Sequence, residues 1–191
     1  MLSGVRLSAP HRLFVELASA LTLVDLVVLG DWLVRRGHTT TQALVEHCQH
    51  YRGRYAKQAR EAAAYVRDRV DSPMETKLRL LLVLAGLPEP VVNHELRDDF
   101  GSVVMRLDLS YPALRLAVEY DGRQHVESVR QWERDVERRE QLGDDSWRLI
   151  TVTSTGIYRD PEQTVRRVWQ ALRDRGCRLP PPSEGWRAHF G

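Results

Sequence analysis

The sequence predicts a protein of class α/β (α+β), with a helical N-terminal region followed by a core in the order αβββαβ. Three observations predict this class. Apolar residues recur at helical spacing through residues 8–70. Two apolar, β-rich runs at residues 103–109 and 114–120 flank the turn signal Ser-Tyr-Pro-Ala. A further strand-like run at residues 147–153 stands between two helical patterns.

Residues 1–70 are predicted to form the helical region. Pro10 lies near a helix start, Thr22 has the residue type of an N-cap, and Gly37 and Gly53 are typical helix stops. At 191 residues and 42% hydrophobic content, the chain can bury one good core plus a small helical extension. We therefore expect one or two domains.

The composition of the chain indicates the cellular compartment in which we expect the protein. The most apolar stretch, residues 21–34, is interrupted by Asp25 and Asp31, so it predicts a buried helix of a soluble protein and not a membrane span. Cys48 and Cys177 have no metal-ligand spacing, which fits a reducing compartment. We expect a cytoplasmic location and no membrane contact, and the net charge of +2 does not by itself indicate nucleic acid.

Residues 71–175 are predicted to form the α/β domain. Its expected elements are a helix at 74–85, a strand at 91–96, the hairpin, a charged helix at 129–142, an inner strand at 147–153 and a final helix at 161–175. The tail, residues 176–191, contains three consecutive prolines. It is expected to be mobile or draped over the surface.

Three acidic residues in the predicted hairpin are the most informative feature of the chain. Glu119 and Asp121 share one strand face, because side chains alternate along a strand. If the turn is centred on Pro112 and Ala113, Asp108 lies diagonally across from Glu119. Carboxylates at that separation repel each other unless a cation lies between them.

Mg²⁺ or Mn²⁺ is the expected cation, because carboxylate oxygens suit hard cations. Two alternatives stay open. Arg106 and Arg115 are near enough in sequence to neutralise the acids structurally, and Asp108 could cap the turn. Asp121, which precedes a glycine, is either a ligand or a turn former.

Glu75 lies in a capping-box pattern, with Ser72 as N-cap and Pro73 at the first helical position. An ion pair with Arg79, one turn further on, is equally compatible with the spacing. Neither the helix cap nor the ion pair requires a catalytic role for Glu75.

Basic side chains alternate with tyrosines across residues 51–69, as in a helix that contacts phosphates. The candidate DNA contacts there are Arg54, Lys57 and Arg60. The alternative is an ordinary solvated helix face.

Several motifs in residues 72–173 resemble the PD-(D/E)XK nuclease superfamily, in particular its branch similar to very-short-patch-repair (Vsr) endonucleases, which includes bacterial relatives of unassigned function. The motifs are Ser72-Pro-Met-Glu75, Gly86-Leu-Pro-Glu-Pro90, Asp108, Val118-Glu119-Tyr-Asp121-Gly-Arg-Gln-His125, and Arg134-Asp135 followed by Leu142 and Trp147. Two positions depart from the superfamily pattern. Leu107 stands where the proline would be and Asp121 where the lysine would be.

The resemblance implies a restriction-endonuclease-like fold and metal-dependent hydrolysis of DNA phosphodiester bonds, with Asp108 and Glu119 as metal ligands and Glu75 supporting them. Because the lysine is absent, His125 is expected to move the proton. Gln124 would position it, and Arg123, Gln124 and Arg130 would contact DNA. The alternative is a nuclease-fold protein that binds DNA without cutting it, as a regulatory or antitoxin-type module. A homodimer or an upstream partner domain is also compatible with the sequence.

Overall fold

The computed structural model describes residues 8–122 and 146–190, which divide into two compact units, Met1–Lys77 and Leu78–Gly191. The helices, labelled in chain order within the described residues, are α1 Pro10–Leu17, α2 Leu23–Arg35, α3 Thr41–His50, α4 Ala56–Tyr65, α5 Pro73–Leu84, α6 Ser154–Tyr158, α7 Pro161–Asp174 and α8 Arg187–Phe190. The strands are β1 Val91–Arg97, β2 Val103–Tyr111, β3 Leu116–Asp121 and β4 Arg148–Thr153. A mixed α/β fold with a four-stranded sheet is therefore confirmed. The three-part domain division proposed from the sequence stays a prediction.

The first unit is helical, and local signals set the ends of its helices. Pro10 is the first residue of α1, and the Thr22 hydroxyl accepts a hydrogen bond from the Asp25 N–H at 3.1 Å. Gly37 follows α2 with a φ of 70°. Fully buried Phe14, Val27 and Leu44 form part of the core of this unit.

Asp31 is a buried acid within α2. Only 2% of it is exposed, and its two carboxylate oxygens accept from the Arg67 N–H and the Thr76 hydroxyl, each at 2.8 Å. The acid thus connects α2 to the start of α5 inside the first unit. No helix in the described part of the chain is long and apolar enough to cross a membrane.

We expect Asp31→Ala to lower the free energy of unfolding by about 2–4 kcal/mol, because it removes the acceptor of the part-buried Arg67 N–H and the shorter hydrogen bond of the buried Thr76 hydroxyl. Urea unfolding followed by circular dichroism measures this loss. Asp68→Ala, at an exposed position of the same unit, is the matched control and should stay within about 0.5 kcal/mol of the wild type. Equal stability of the two variants would show that Asp31 does not stabilise the unit.

The sheet of the second unit has the strand order β1-β2-β3-β4. Strand β2 is antiparallel to both β1 and β3, whereas β3 and β4 are parallel. Parallel neighbours need a crossover connection, and the helix predicted at residues 129–142 lies outside the described residues. Met105, Leu107 and Ala117 form a buried cluster against Leu96, Trp147 and Leu149.

Two sequence predictions about this sheet were wrong. Residues 147–153 were expected to form an inner strand, but β4 lies at the edge of the described sheet. The strand is apolar because both of its faces are covered. Leu149 packs in the core cluster, and the neighbouring Ile150, which points to the opposite face, is also buried. The hairpin turn was expected at Ser110–Ala113, but Ser110 and Tyr111 belong to β2 and a 3₁₀ turn occupies Pro112–Leu114.

The C-terminal tail follows the second alternative, a segment draped over the surface. The Ser183 N–H donates to the Ala85 carbonyl at 2.9 Å, and the Trp169 indole donates to the Pro180 carbonyl at 2.7 Å. Trp186 and Phe190 are buried, with 4% and 8% exposed. The tail is therefore part of the folded second unit.

Candidate active site

Asp108 lies where the ladder between β2 and β3 ends. Its neighbours Leu107 and Leu109 are fully buried, while Asp108 itself is half-buried. Its Oδ2 accepts the Tyr120 backbone N–H at 3.0 Å. A hydrogen bond to an ionised carboxylate is short and strong, so this contact from the neighbouring strand orients Asp108. From the sequence, the alternative to a metal-binding role for Asp108 was a hydrogen bond that caps the hairpin turn. The observed hydrogen bond instead joins Asp108 on β2 to Tyr120 on β3.

The register of the β2–β3 ladder differs from the one that the predicted diagonal arrangement requires. The last pairs of the ladder are Ser110↔Ala117 and Leu109↔Val118, and extending this register by one residue places Glu119 opposite Asp108. The register differs because the turn is centred one residue further along the chain, with Arg115 in the left-handed region at a φ of 46°. Directly opposite residues of an antiparallel pair have Cβ atoms about 4.5–5.5 Å apart.

Asp121 ends β3 and is half-buried. It shares a strand face with Glu119, because side chains alternate along a strand. Its partner in the parallel register is Thr153, the last residue of β4. The three acids of the hairpin are thus gathered toward one end of β3.

Arg106 was considered as a structural counter-charge for these acids. Its Nη2 lies 3.6 Å from Glu95 Oε1, so part of its charge is directed toward β1.

Glu75 has the local contacts of a helix cap. The Ser72 hydroxyl accepts from the Glu75 N–H at 3.2 Å, and the Glu75 carboxylate accepts from the Asp71 N–H at 2.9 Å. The carboxylate is nearly buried, with 7% of the residue exposed. The capping interpretation is confirmed, and a role in metal binding stays a prediction.

Asn93 lies beside Asp108 in the sheet and was not among the residues predicted from the sequence. The pairs Val92↔Leu109 and His94↔Leu107 set it level with Asp108 on the other side of β2. It is buried, with 4% exposed, and it adopts a φ of 47°. Asparagine tolerates the left-handed region better than most residues. The sequence feature that could have identified Asn93 is its position as the single amide side chain in the β-rich run 91–96.

The remaining predicted residues fall into two groups. Arg123, Gln124, His125 and Arg130 lie outside the described residues. Arg54, Lys57 and Arg60 are exposed at the start of α4, whose opposite face buries Ala59, Ala62 and Ala63. The Arg54 guanidinium lies 5.0 Å from the Tyr55 ring centroid, and Arg60 donates to the Tyr51 carbonyl at 3.3 Å. Such a surface is compatible with DNA contact and with a solvated helix face.

Within residues 8–122 and 146–190, no three His, Cys, Asp or Glu side chains are arranged to hold a metal ion by themselves. The opposed Asp108 and Glu119 nevertheless match one mode of Mg²⁺ binding, in which one or two carboxylates act together with water and substrate phosphate.

One protein-family model matches part of the second unit. Residues 93–172 match the model of REase_MTES_1575, a restriction-endonuclease-like family. The match includes all three acids of the hairpin and supports a nuclease-like domain.

Two curated relatives from Mycobacterium tuberculosis are similar over a longer range. The uncharacterized protein MT2308 of strain CDC 1551 / Oshkosh and the uncharacterized protein Rv2248 of strain H37Rv are each 26% identical over 171 residues. The alignment covers 89% of this chain and 63% of either relative, so the chain spans less than two thirds of their length. No solved structure gives a significant match.

Proposed function

We propose that this protein is a divalent-metal-dependent endonuclease that hydrolyses phosphodiester bonds in DNA. One observation carries the proposal. The register of the β2–β3 ladder, extended by one residue past Leu109↔Val118, places Asp108 opposite Glu119, inside the segment that matches a restriction-endonuclease-like family. Two half-buried carboxylates this close together repel each other, and a cation between them relieves that repulsion.

The donor set fits Mg²⁺ or Mn²⁺, since it consists of carboxylate oxygens. A bound ion would lower the pKa of a coordinated water and neutralise charge on the scissile phosphate. Asp108 and Glu119 would hold it, with Asp108 kept in orientation by the Tyr120 N–H. Glu75 and Asp121 would support the site.

The proton and the DNA require further residues. His125 would move the proton, and Arg123, Gln124 and Arg130 would contact the DNA together with Arg54, Lys57 and Arg60. Phosphate contacts of this kind make binding salt-dependent and carry little sequence information. A place in the Vsr-like branch is the finer form of the proposal, supported by the segment from Glu119 to His125.

A second candidate is a DNA-binding regulatory module, antitoxin-type, that keeps the nuclease fold without activity. One feature of the sequence favours it, because Asp121 stands where the superfamily pattern has its lysine. A binding module has no need of two opposed carboxylates, so affinity for divalent ions separates the two candidates.

The first test is DNA cleavage by the purified full chain. Supercoiled, linear and single-stranded DNA are incubated with Mg²⁺, Mn²⁺ or EDTA, and products are separated on gels. We expect cleavage with either ion and none in EDTA. The variant Glu75→Gln keeps an acceptor for the Asp71 N–H. If this variant loses cleavage while its stability is unchanged, Glu75 binds metal in addition to capping the helix.

The contrary result is equally specific. Salt-sensitive DNA binding without cleavage in any ion, together with no measurable Mn²⁺ affinity by calorimetry, would replace the nuclease with the binding module.

A further inference from the structure

The end of β4 brings a second group of side chains to the candidate site. Because β3 and β4 are parallel, their C-terminal ends meet at the same edge of the sheet, with Tyr120↔Val152 and Asp121↔Thr153 as the last pairs. Helix α6 begins immediately afterwards, at Ser154. The residues of α6 therefore lie beside the end of β3, where the acids are gathered.

Tyr120 links α6 to the acids. Its backbone N–H donates to Asp108, and its phenol hydrogen-bonds the Ser154 side chain. The ring lies against Gly122, where an added Cβ would come within 3.0 Å of Tyr120 Cε1. Burial, and then the neighbouring Tyr158 and Asp121, raise the pKa of the phenol, so Tyr120 is neutral at physiological pH. One residue thus contacts both groups, because its backbone donates to the candidate metal ligand Asp108 and its side chain contacts the first residue of α6.

Tyr158 and Arg159 lie at the far end of α6. Tyr158 is 54% exposed, so much of its ring is accessible to a ligand. Arg159 follows it and is also exposed. Neighbouring basic groups are already paired, since Arg166 and Arg187 both contact the Glu162 carboxylate, at 2.6 and 2.7 Å.

Tyr158 and Arg159 line the same surface hollow, and an exposed aromatic ring together with a guanidinium is one means by which proteins bind an unpaired nucleotide. Any base can stack on the ring, and the cation contacts the backbone phosphate. The bases of an intact duplex are stacked on one another, so they cannot offer a face to such a ring without being extruded.

We infer that Tyr158 and Arg159 hold an unpaired nucleotide next to the scissile phosphate, and that the preferred substrate is single-stranded or locally opened DNA. Tyr158 would stack on the base and Arg159 would contact its phosphate, with Tyr120 positioning Tyr158 relative to Asp108. This inference rests on the proposed function and narrows its substrate.

Binding without turnover tests it. Single-stranded and duplex oligonucleotides that carry one 2-aminopurine are titrated with the full chain in EDTA, and anisotropy and 2-aminopurine fluorescence are recorded together. We expect the wild type to bind the single strand more tightly and to quench the base analogue. Tyr158→Ala should weaken single-strand binding about 5- to 100-fold and abolish the quenching.

The control variants separate stacking from other effects. Tyr158→Phe keeps the ring and should keep both signals, whereas Arg159→Ala should weaken binding and reduce the salt slope by about one. Phe100→Ala removes another exposed aromatic side chain, 94% exposed at the β1–β2 turn, and should change neither signal. Thermal melting confirms that each variant is folded.

Two outcomes are distinguishable failures. The inference is overturned if Tyr158→Ala binds single-stranded DNA and quenches the base analogue to the same extent as the wild type. It is also overturned if the wild type prefers duplex DNA. In either case the nuclease proposal stands. If the wild type neither binds nor cleaves any DNA, the proposed function fails and this inference fails with it.

Discussion

Asp108→Asn is expected to lower the rate of metal-dependent DNA cleavage by about 10³-fold or more without unfolding the protein. The amide oxygen of asparagine still accepts the Tyr120 N–H, so the bond between β2 and β3 is retained. The negative charge that would hold the ion beside Glu119 is lost. A metal contributes several kcal/mol of transition-state stabilisation, and each 1.36 kcal/mol corresponds to a factor of about ten.

Asp98→Asn is the matched control for this prediction. Asp98 lies in the β1–β2 turn of the same unit, where its Oδ1 accepts from the Phe100 N–H at 3.0 Å and the Ser102 N–H at 2.8 Å. Asparagine preserves that acceptor too, so this variant should cleave at the wild-type rate. Initial rates on supercoiled DNA and Mn²⁺ affinity by calorimetry are measured for both. Cleavage by Asp108→Asn at more than a tenth of the wild-type rate would remove Asp108 from the metal site.

Trp186→Ala is expected to lower the free energy of unfolding of the second unit by about 3–5 kcal/mol, the usual cost of removing a buried large aromatic side chain. The indole is 4% exposed, and the Arg187 guanidinium lies 4.6 Å from its ring centroid. The tail is further held by the bond from the Ser183 hydroxyl to the Leu84 carbonyl at 3.1 Å. Loss of the indole should release the tail as well as weaken the core.

Two measurements check the tail prediction. Urea unfolding gives the stability, and limited trypsin digestion reports release of the tail through cleavage at Arg178, which lies between α7 and α8. Trp32→Ala, at a position that is 45% exposed, is the control and should cost less than about 1 kcal/mol. Wild-type stability and wild-type trypsin resistance in Trp186→Ala would show that the indole does not anchor the tail.

The helices were predictable because their signals are local. The Thr22 cap, the proline at the start of α5 and the glycine after α2 each act within one helical turn of the residues they affect. The same is true of the capping contacts of Glu75, which join residues no more than four apart.

The register of the hairpin was not predictable from its turn sequence. Tyr111 was read as part of the turn, but it belongs to β2 and is buried, and its hydroxyl donates to the Pro88 carbonyl at 2.9 Å. That contact joins residues 23 positions apart in the chain. A shift of one residue in such a turn changes which side chains face each other, and the observed register, extended by one residue, places Asp108 opposite Glu119 instead of diagonal to it.

The sequence by itself determined the mixed α/β class, most of the helices, and the presence of Asp108, Glu119 and Asp121 in a β-hairpin. Alternation, capping residues and turn signals encode these features over a few neighbouring residues. Only the tertiary structure decided the alignment of Asp108 with Glu119, the bond from Tyr120 to Asp108, the approach of α6 to the end of β3, and the docking of Trp186. Each of these depends on contacts between residues distant in the chain, whose geometry no local pattern specifies.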